Sequence, residues 1–413
     1  VPLPKLPRPQ LRLPVTAVLV GACLTALVSA PAEAEAPGSD TNRTTTDRTT
    51  TGHAPADHTP TESALLSQLE QLVSAPGGPP GVIAVLQRGE SRRILRAGTA
   101  DLETGRPVEP TDHMRIASTA KAFSGAVALS LVDRGALRLD DTIGRRLPSL
   151  PRAWRAVTLR QLLNHTSGLP DFSRSPEFIS ILQADPHHVF DSRRLLDFVA
   201  RDPLLFRPGS RYQYSNSDNI AVALMAEAAT HTRYEELLRR LVYRPLGLRD
   251  TSLPQGFELP EPYMRGYDVP VQPPAPPEDV SELIGASGVW ASGGIVSTPK
   301  DMTRFIRGYA GGSLISRETL RQQRRWIDGA SEPAGPGRNE AGEAIFRYTT
   351  RCGVVLGHTG NTPGYTQLIA ATPDGERSLT FSLTTQVNQS TKPQLLEQLR
   401  AVEERFVCAL LKN

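Results

Sequence analysis

Ser118 and Lys121 stand three residues apart in the stretch MRIASTAKAFSG, residues 114–125. A serine hydroxyl is a weak nucleophile until a base comes within hydrogen-bond reach. Residues three apart on a helix share a face, so the amine of Lys121 can lean back onto the serine oxygen. The chain carries five lysines, at 5, 121, 300, 392 and 412, against 41 arginines, so a lysine here is not its usual cation. A buried lysine can give up its proton near neutral pH and an arginine cannot. At a helix start Ser118 would also lie beside free backbone N–H groups and the positive end of the helix dipole, which suit an oxyanion.

Spacing alone is a weak signal, because Ser297 and Lys300 in VSTPKDM repeat it. There Thr298, Pro299 and Asp301 read as an N-cap, an N1 proline and an N3 acid, so that match is the start of a helix with Lys300 turned to solvent. Ser118 differs in its company. The stretch RYQYSNSDN puts the phenol of Tyr214 two residues before the amide of Asn216, in an exposed turn. Further on, VVLGHTGNTPGY offers His358, Thr359, Gly360 and Asn361 on a strand. The same turn contains Ser217-Asp218-Asn219, which reads as a cap for the following helix.

Ser-x-x-Lys, then Tyr-x-Asn, then His-Thr-Gly, in that order, resembles the penicillin-recognising serine hydrolases. The resemblance is to the branch that holds class C β-lactamases and exported actinomycete D-alanyl-D-alanine carboxypeptidases. It runs over residues 62–410 and includes LLNHTSGLPDF, RPGSRYQYSNSDN and WASGGIVSTPKDM. It implies a serine β-lactamase/DD-peptidase-like fold and acylation of Ser118. Lys121 and Tyr214 would share proton transfer, with Tyr214 the base for attack. Asn216 would hold the substrate's side-chain amide, and strand 358–360 the extended substrate, with the Thr359 hydroxyl near its carboxylate. The N–H groups of Ser118 and Asn361 would form the oxyanion hole. His358 stands where most β-lactamases of this branch carry lysine; histidine is often neutral at pH 7, which favours the carboxypeptidase side. Arg347 and Arg351 are candidates for gripping a terminal carboxylate. The implied activity is a β-lactam-sensitive D-Ala-D-Ala carboxypeptidase. A β-lactamase, an esterase or a D-amino-acid amidase, and a non-enzymatic β-lactam or peptidoglycan sensor, are the alternatives.

The elements that would position these groups follow from periodicity. TESALLSQLEQLV has a helical apolar face, and GVIAVLQRG with SRRILRAGTAD reads as a hairpin. From Ser118 a helix apolar nearly all round runs to Gly135, as a helix buried between layers does. Helical pieces follow, TLRQLLNHTSGL and SRRLLDFVARD among them. GVWASGGIVS, GVVLGHTG, GYTQLIAATPDG and RSLTFSLTTQ read as strands, and KPQLLEQLRAVEERFVCALL as a closing helix. The sheet is begun near the N-terminus and completed at the C-terminus. This predicts an α/β lobe (about 61–117 and 285–413), its antiparallel sheet flanked by N- and C-terminal helices, with an inserted all-α lobe (about 118–284).

Residues 1–36 read as a secretory signal: Lys5, Arg8 and Arg12, then an apolar run of about 16 residues, short for a span, then APAEAEA. An uncleaved anchor, or lipidation at Cys23, is the alternative to a secreted protein. Residues 37–60, threonine-rich and without large apolar residues, read as a disordered linker. The formal net charge is +3 and no basic block is present, which argues against nucleic acid as a partner. Cys352 and Cys408 form an even pair that suggests one disulfide in an exported protein, with two free buried thiols as the alternative. No Cys/His cluster has metal spacing. A monomer without cofactor or metal, taking D-Ala-D-Ala peptides and β-lactams and keeping no membrane span, is expected.

Overall fold

The computed structural model describes residues 61–412 apart from residue 274, so the expected leader and linker lie outside the described residues. Thr61 opens helix α1 (Glu62–Ser74), its hydroxyl accepting from the Ala64 N–H, and Leu65, Leu69 and Leu72 face inward. The other long helices are α2 (Ala120–Asp133), α3 (Asn216–Thr230), α4 (Pro299–Gly311) and α5 (Pro393–Leu411).

Eight strands make one antiparallel sheet: β1 (Gly81–Arg88), β2 (Ser91–Gly98), β3 (Ile327–Asp328), β4 (Arg338–Ala341), β5 (Phe346–Thr350), β6 (Gly353–Thr362), β7 (Tyr365–Ala371) and β8 (Arg377–Leu383). Their spatial order is β2-β1-β8-β7-β6-β5-β4-β3. The N-terminal hairpin therefore joins the C-terminal strands at β1 and β8, with Val82 opposite Leu383. Val82, Ala84 and Leu86 of β1 enter the core under α1 and α5, while Ile83 and Val85 enter the core on the other face. Burial on both faces is why β1 reads as a continuous apolar run. β2, at the edge, exposes Arg92, Arg93 and Arg96, charges that discourage edge-to-edge pairing.

Helix α2 is buried from Ala120 to Leu131. Phe123 stacks on Phe305 of α4 with ring centroids 3.6 Å apart, which holds the helix start against its neighbour. Cys352, in the β5–β6 turn, is bonded to Cys408 of α5, tying the strand that carries His358 to the last helix. By loop closure a bridge of this span contributes about 4 kcal/mol.

Two segments depart from expectation. GVWASGGIVS is not one strand: it forms a 3₁₀ turn (Ala286–Gly288), a short helix (Trp290–Gly293) and a two-residue ladder in which Val296–Ser297 pairs with Met114–Arg115. A short apolar run does not separate strand from helix by period, and the Ser292 carbonyl is taken up by Lys121. TLRQLLNHTSGL is helical only over Leu159–Leu163, and SRRLLDFVARD winds as a 3₁₀ helix over Ser192–Val199. Among the described residues no helix is long and apolar enough to cross a membrane.

Candidate active site

The chain enters the site through the ladder at Met114–Arg115. Ala117 then takes φ +48°, a conformation costly for a residue with a Cβ. The 3₁₀ turn Ala117–Thr119 runs straight into α2 and leaves Ser118 partly open to solvent at the helix start. Strand β6 abuts this turn. A Cβ on Gly360 would stand 2.3 Å from the Ile116 carbonyl oxygen and 3.3 Å from the Ser118 nitrogen, so only glycine admits the approach. Gly360, the residue before Asn361, is thereby brought against the Ser118 backbone.

Lys121 is fully buried. Its Nζ donates to Ser118 Oγ (2.9 Å), Asn216 Oδ1 (2.7 Å) and the Ser292 carbonyl (2.8 Å). Burial lowers its pKa to about 7, against the carboxylates of Asp171, Glu332 and Asp218, which pull it up. A group balanced there is part amine at neutral pH, the state that can accept a proton. Tyr214 lies beside it, Lys121 Nζ standing 5.0 Å from its ring centroid. The phenol is buried and meets no well-aligned hydrogen-bond partner. Burial raises its pKa well above the ordinary value, although nearby Ser118 opposes the shift. Tyr214 therefore holds its proton at rest, and of the two groups Lys121 is the one poised near neutrality.

Asn216 is fully engaged. Besides accepting from Lys121, its Nδ2 donates to Asp171 Oδ2 (3.1 Å) and Ser173 Oγ (3.0 Å), so a substrate amide would have to displace one of these. Ser217, Asp218 and Asn219 do not cap α3, whose N-cap is Ser215. They sit buried in its first turn and bolt it in place. Ser217 Oγ accepts from the Phe172 N–H and donates to the Pro170 carbonyl; Asn219 donates to Ser124 Oγ. Asp218 accepts from Ser167 and meets His165 Nδ1 at 2.8 Å. His165, itself at φ +58°, lays its ring 4.5 Å from that of Tyr214 and so fixes the phenol's position.

On the β6 side, His358 is buried and its Nδ1 donates to the Thr359 carbonyl (2.6 Å). Burial drops its pKa to about 3, so it is uncharged at neutral pH. The Thr359 hydroxyl donates to the Pro333 carbonyl (2.6 Å), and Asn361 Nδ2 to that of Val387 (2.6 Å). Neither expected arginine is free at the site. Arg347 is paired with Glu340 and lies over the Trp326 ring. Arg351 is exposed in the β5–β6 turn, at the end of β6 away from His358 and about 20 Å along the strand. Both candidacies fail because register, invisible in the local sequence, sets where an arginine on β5 or its turn ends up.

Asp171, His165 and Glu332 were not singled out from the sequence, and Asp218 was read only as part of a helix cap. The phrases LLNHTSGLPDF and YSNSDN contain Asp171, His165 and Asp218, and an acid or histidine inside a site phrase was the available signal. Glu332 carried none. Among the described residues no group of three or more His, Cys, Asp or Glu is arranged to hold a metal ion.

The family model described as Beta-lactamase matches residues 67–403. A penicillin-binding protein of Bacillus subtilis (strain 168) is 25% identical over 318 residues, 73% of this chain and 67% of that protein. A D-aminopeptidase of Brucella anthropi is 33% identical over 193 residues, 46% of this chain but 36% of the peptidase. Among solved structures, a D-stereospecific amidohydrolase from Streptomyces sp. superposes with a TM-score of 0.71 at 26% identity, covering 83% of this chain and 98% of that one.

Proposed function

Because the chain belongs to the beta-lactamase family, whose members are serine hydrolases, we propose that it is an amidohydrolase working through an acyl-Ser118 on amide and peptide bonds of D-configured residues. The observation that carries this is the Lys121 amine, 2.9 Å from Ser118 Oγ with a pKa of about 7. The Lys121 amine takes the serine proton as Oγ attacks the carbonyl carbon. The oxyanion forms between the N–H groups of Ser118 and Asn361, each such donor being worth about 3 kcal/mol. As the C–N bond breaks, the Tyr214 phenol gives its proton to the leaving nitrogen and is refilled from the Lys121 ammonium. Water then releases the acid and restores Ser118. A β-lactam would acylate the same oxygen.

The D-configuration rests on the likeness to the amidohydrolase and the peptidase. The finer reading, a D-Ala-D-Ala carboxypeptidase, has the His358-Thr359-Gly360 strand and the motif order in its favour. It lacks the expected arginines, and Thr359 is the hydroxyl left to meet the carboxylate. Export fits the leader-like start and the Cys352–Cys408 bridge, since disulfides belong to oxidising compartments.

The test is labelling. Incubated with benzylpenicillin, the protein should gain one penicilloyl group on Ser118 by peptide mass spectrometry, and Ser118→Ala none. Release of D-Ala from a diacyl-Lys-D-Ala-D-Ala peptide, set against cleavage of D-aminoacyl amides, ranks the substrates. Absence of any adduct on Ser118 would defeat the proposal.

A further inference from the structure

Three carboxylates act on Lys121: Asp171, Glu332 and Asp218. Two are occupied by the protein itself. Asp171 accepts from the Asn216 backbone and side chain and from Ser173, and Asp218 from Ser167 beside His165. Glu332 makes no hydrogen bond or ion pair with the described residues. Its place is nonetheless fixed, because the loop around it is pinned to both walls of the site. The Ala330 carbonyl accepts from Tyr212, two residues before Tyr214, at 2.6 Å. The Pro333 carbonyl accepts from Thr359 at 2.6 Å. Ser331, between them, is bonded to Tyr348 under the sheet.

The Glu332 side chain reaches solvent. Protein atoms crowd it enough that desolvation still raises its pKa above the usual carboxylate value, as for a group in the wall of an open cleft. The cations that act on it are Arg174, itself exposed, and Lys121. Tyr214, in the same field, holds a buried hydroxyl beside Ser118. The site therefore presents, near Arg174 and Lys121, a carboxylate that no hydrogen bond or ion pair with the described residues commits.

We propose that Glu332 is a specificity-determining residue that receives the α-ammonium of the substrate, so that the preferred substrates are D-aminoacyl amides with an unblocked amino group. That ammonium lies two bonds from the carbonyl carbon Ser118 attacks, and Glu332 acts electrostatically on both Lys121 and Tyr214. The inference rests on the acyl-serine reading above and adds the class of substrate to it.

The test compares D-phenylalanine p-nitroanilide with its N-acetyl derivative at pH 7 on the full chain. The wild type should favour the free amine by about tenfold or more in kcat/KM, about 1.4 kcal/mol. Glu332→Gln should bring the two within about threefold, chiefly through KM of the amine substrate, and Glu332→Asp should restore part of the preference. Any change that Glu332→Gln makes to Lys121 acts on both substrates and cancels in the ratio. A wild type that prefers the acetylated compound, or a Glu332→Gln enzyme that keeps the full preference, overturns the assignment. Benzylpenicillin labelling separates the two readings. Labelling without amine preference removes only the role of Glu332, whereas no labelling removes the acyl-serine reading itself. Should Glu332→Gln fold poorly, the ratio of ampicillin to benzylpenicillin acylation in Glu332→Asp reads the same preference.

Discussion

Two helices in this protein begin on Ser-x-x-Lys, and the strands leading into them pair with each other, Met114 opposite Ser297. At the second, Ser297 shares a hydrogen bond with Thr251 (2.8 Å), Thr298 accepts from the Asp301 N–H, and Asp301 in turn takes the Asp250 N–H and the Thr251 hydroxyl. Every polar group there serves to start α4. The Lys300 side chain stands half-buried and makes no hydrogen bond to the described residues. At the first, the lysine is sealed in with three oxygens, and the serine is left facing the cleft. The spacing is the same in the two places, but Ser118 lies in a 3₁₀ turn and Ser297 at the end of a strand. What separates them is that Lys121 is sealed against the start of α3 and the Trp290–Gly293 helix, where burial lowers its pKa to about 7.

The sharpest way to break that contrast is to change both motifs alike. Ser118→Ala should abolish acylation, and Lys121→Arg should lower its rate by about 10³-fold or more, since a guanidinium cannot accept the proton. Ser297→Ala and Lys300→Arg should stay within about twofold of wild type. Equal losses at the two motifs, measured by penicillin labelling, would mean that burial is not what separates them.

Next in size is the turn before α3. Tyr214→Phe should slow acylation about 10²-fold or more, as removal of a proton-transfer group does. Ser217→Ala should leave the rate near wild type and cost stability instead, about 1–3 kcal/mol for the unpaired Phe172 N–H, read as a lower Tm. The opposite pattern would make Ser217 the second motif's working group.

A smaller effect sharpens the electrostatics. With Lys121 required as the amine, kcat/KM should rise with pH through about 7. Asp171→Asn removes a charge that holds the Lys121 proton on, so this limb should move to lower pH. A limb that stays put would place the controlling ionisation elsewhere.

The smallest concerns a buried acid outside the site. Glu403 on α5 has its pKa raised by burial to about 8, from an ordinary value of 4.5. The protonated side chain suits the folded state, so its contribution is complete below about 4.5 and is lost as pH rises through about 8. Tm should fall over that window, and Glu403→Gln should flatten part of the fall. An unchanged slope would show that α5 does not carry this group dry.

Much of this arrangement was legible in the chain. The continuous apolar run of β1, the one-sided leucines of α1 and the order of the three motifs led to the sheet, its late completion and the family. Ser118 and Lys121 were readable because a helix alone brings residues three apart together. The mixed segment at Trp290 was not, nor were the fates of Arg347 and Arg351, because strand register and the Lys121–Ser292 contact belong to distant parts of the chain.

The sequence by itself determined which groups are present and which of them share a turn, since those follow from the repeat of a helix or strand. Only the tertiary structure decided that Lys121 sits near neutrality, that Tyr214 holds its proton, that His358 is uncharged, and that Glu332, of the three acids acting on Lys121, makes no hydrogen bond to the described residues. Protonation and pairing depend on water excluded and charges gathered by segments far away in the chain, and nothing in local spacing encodes those.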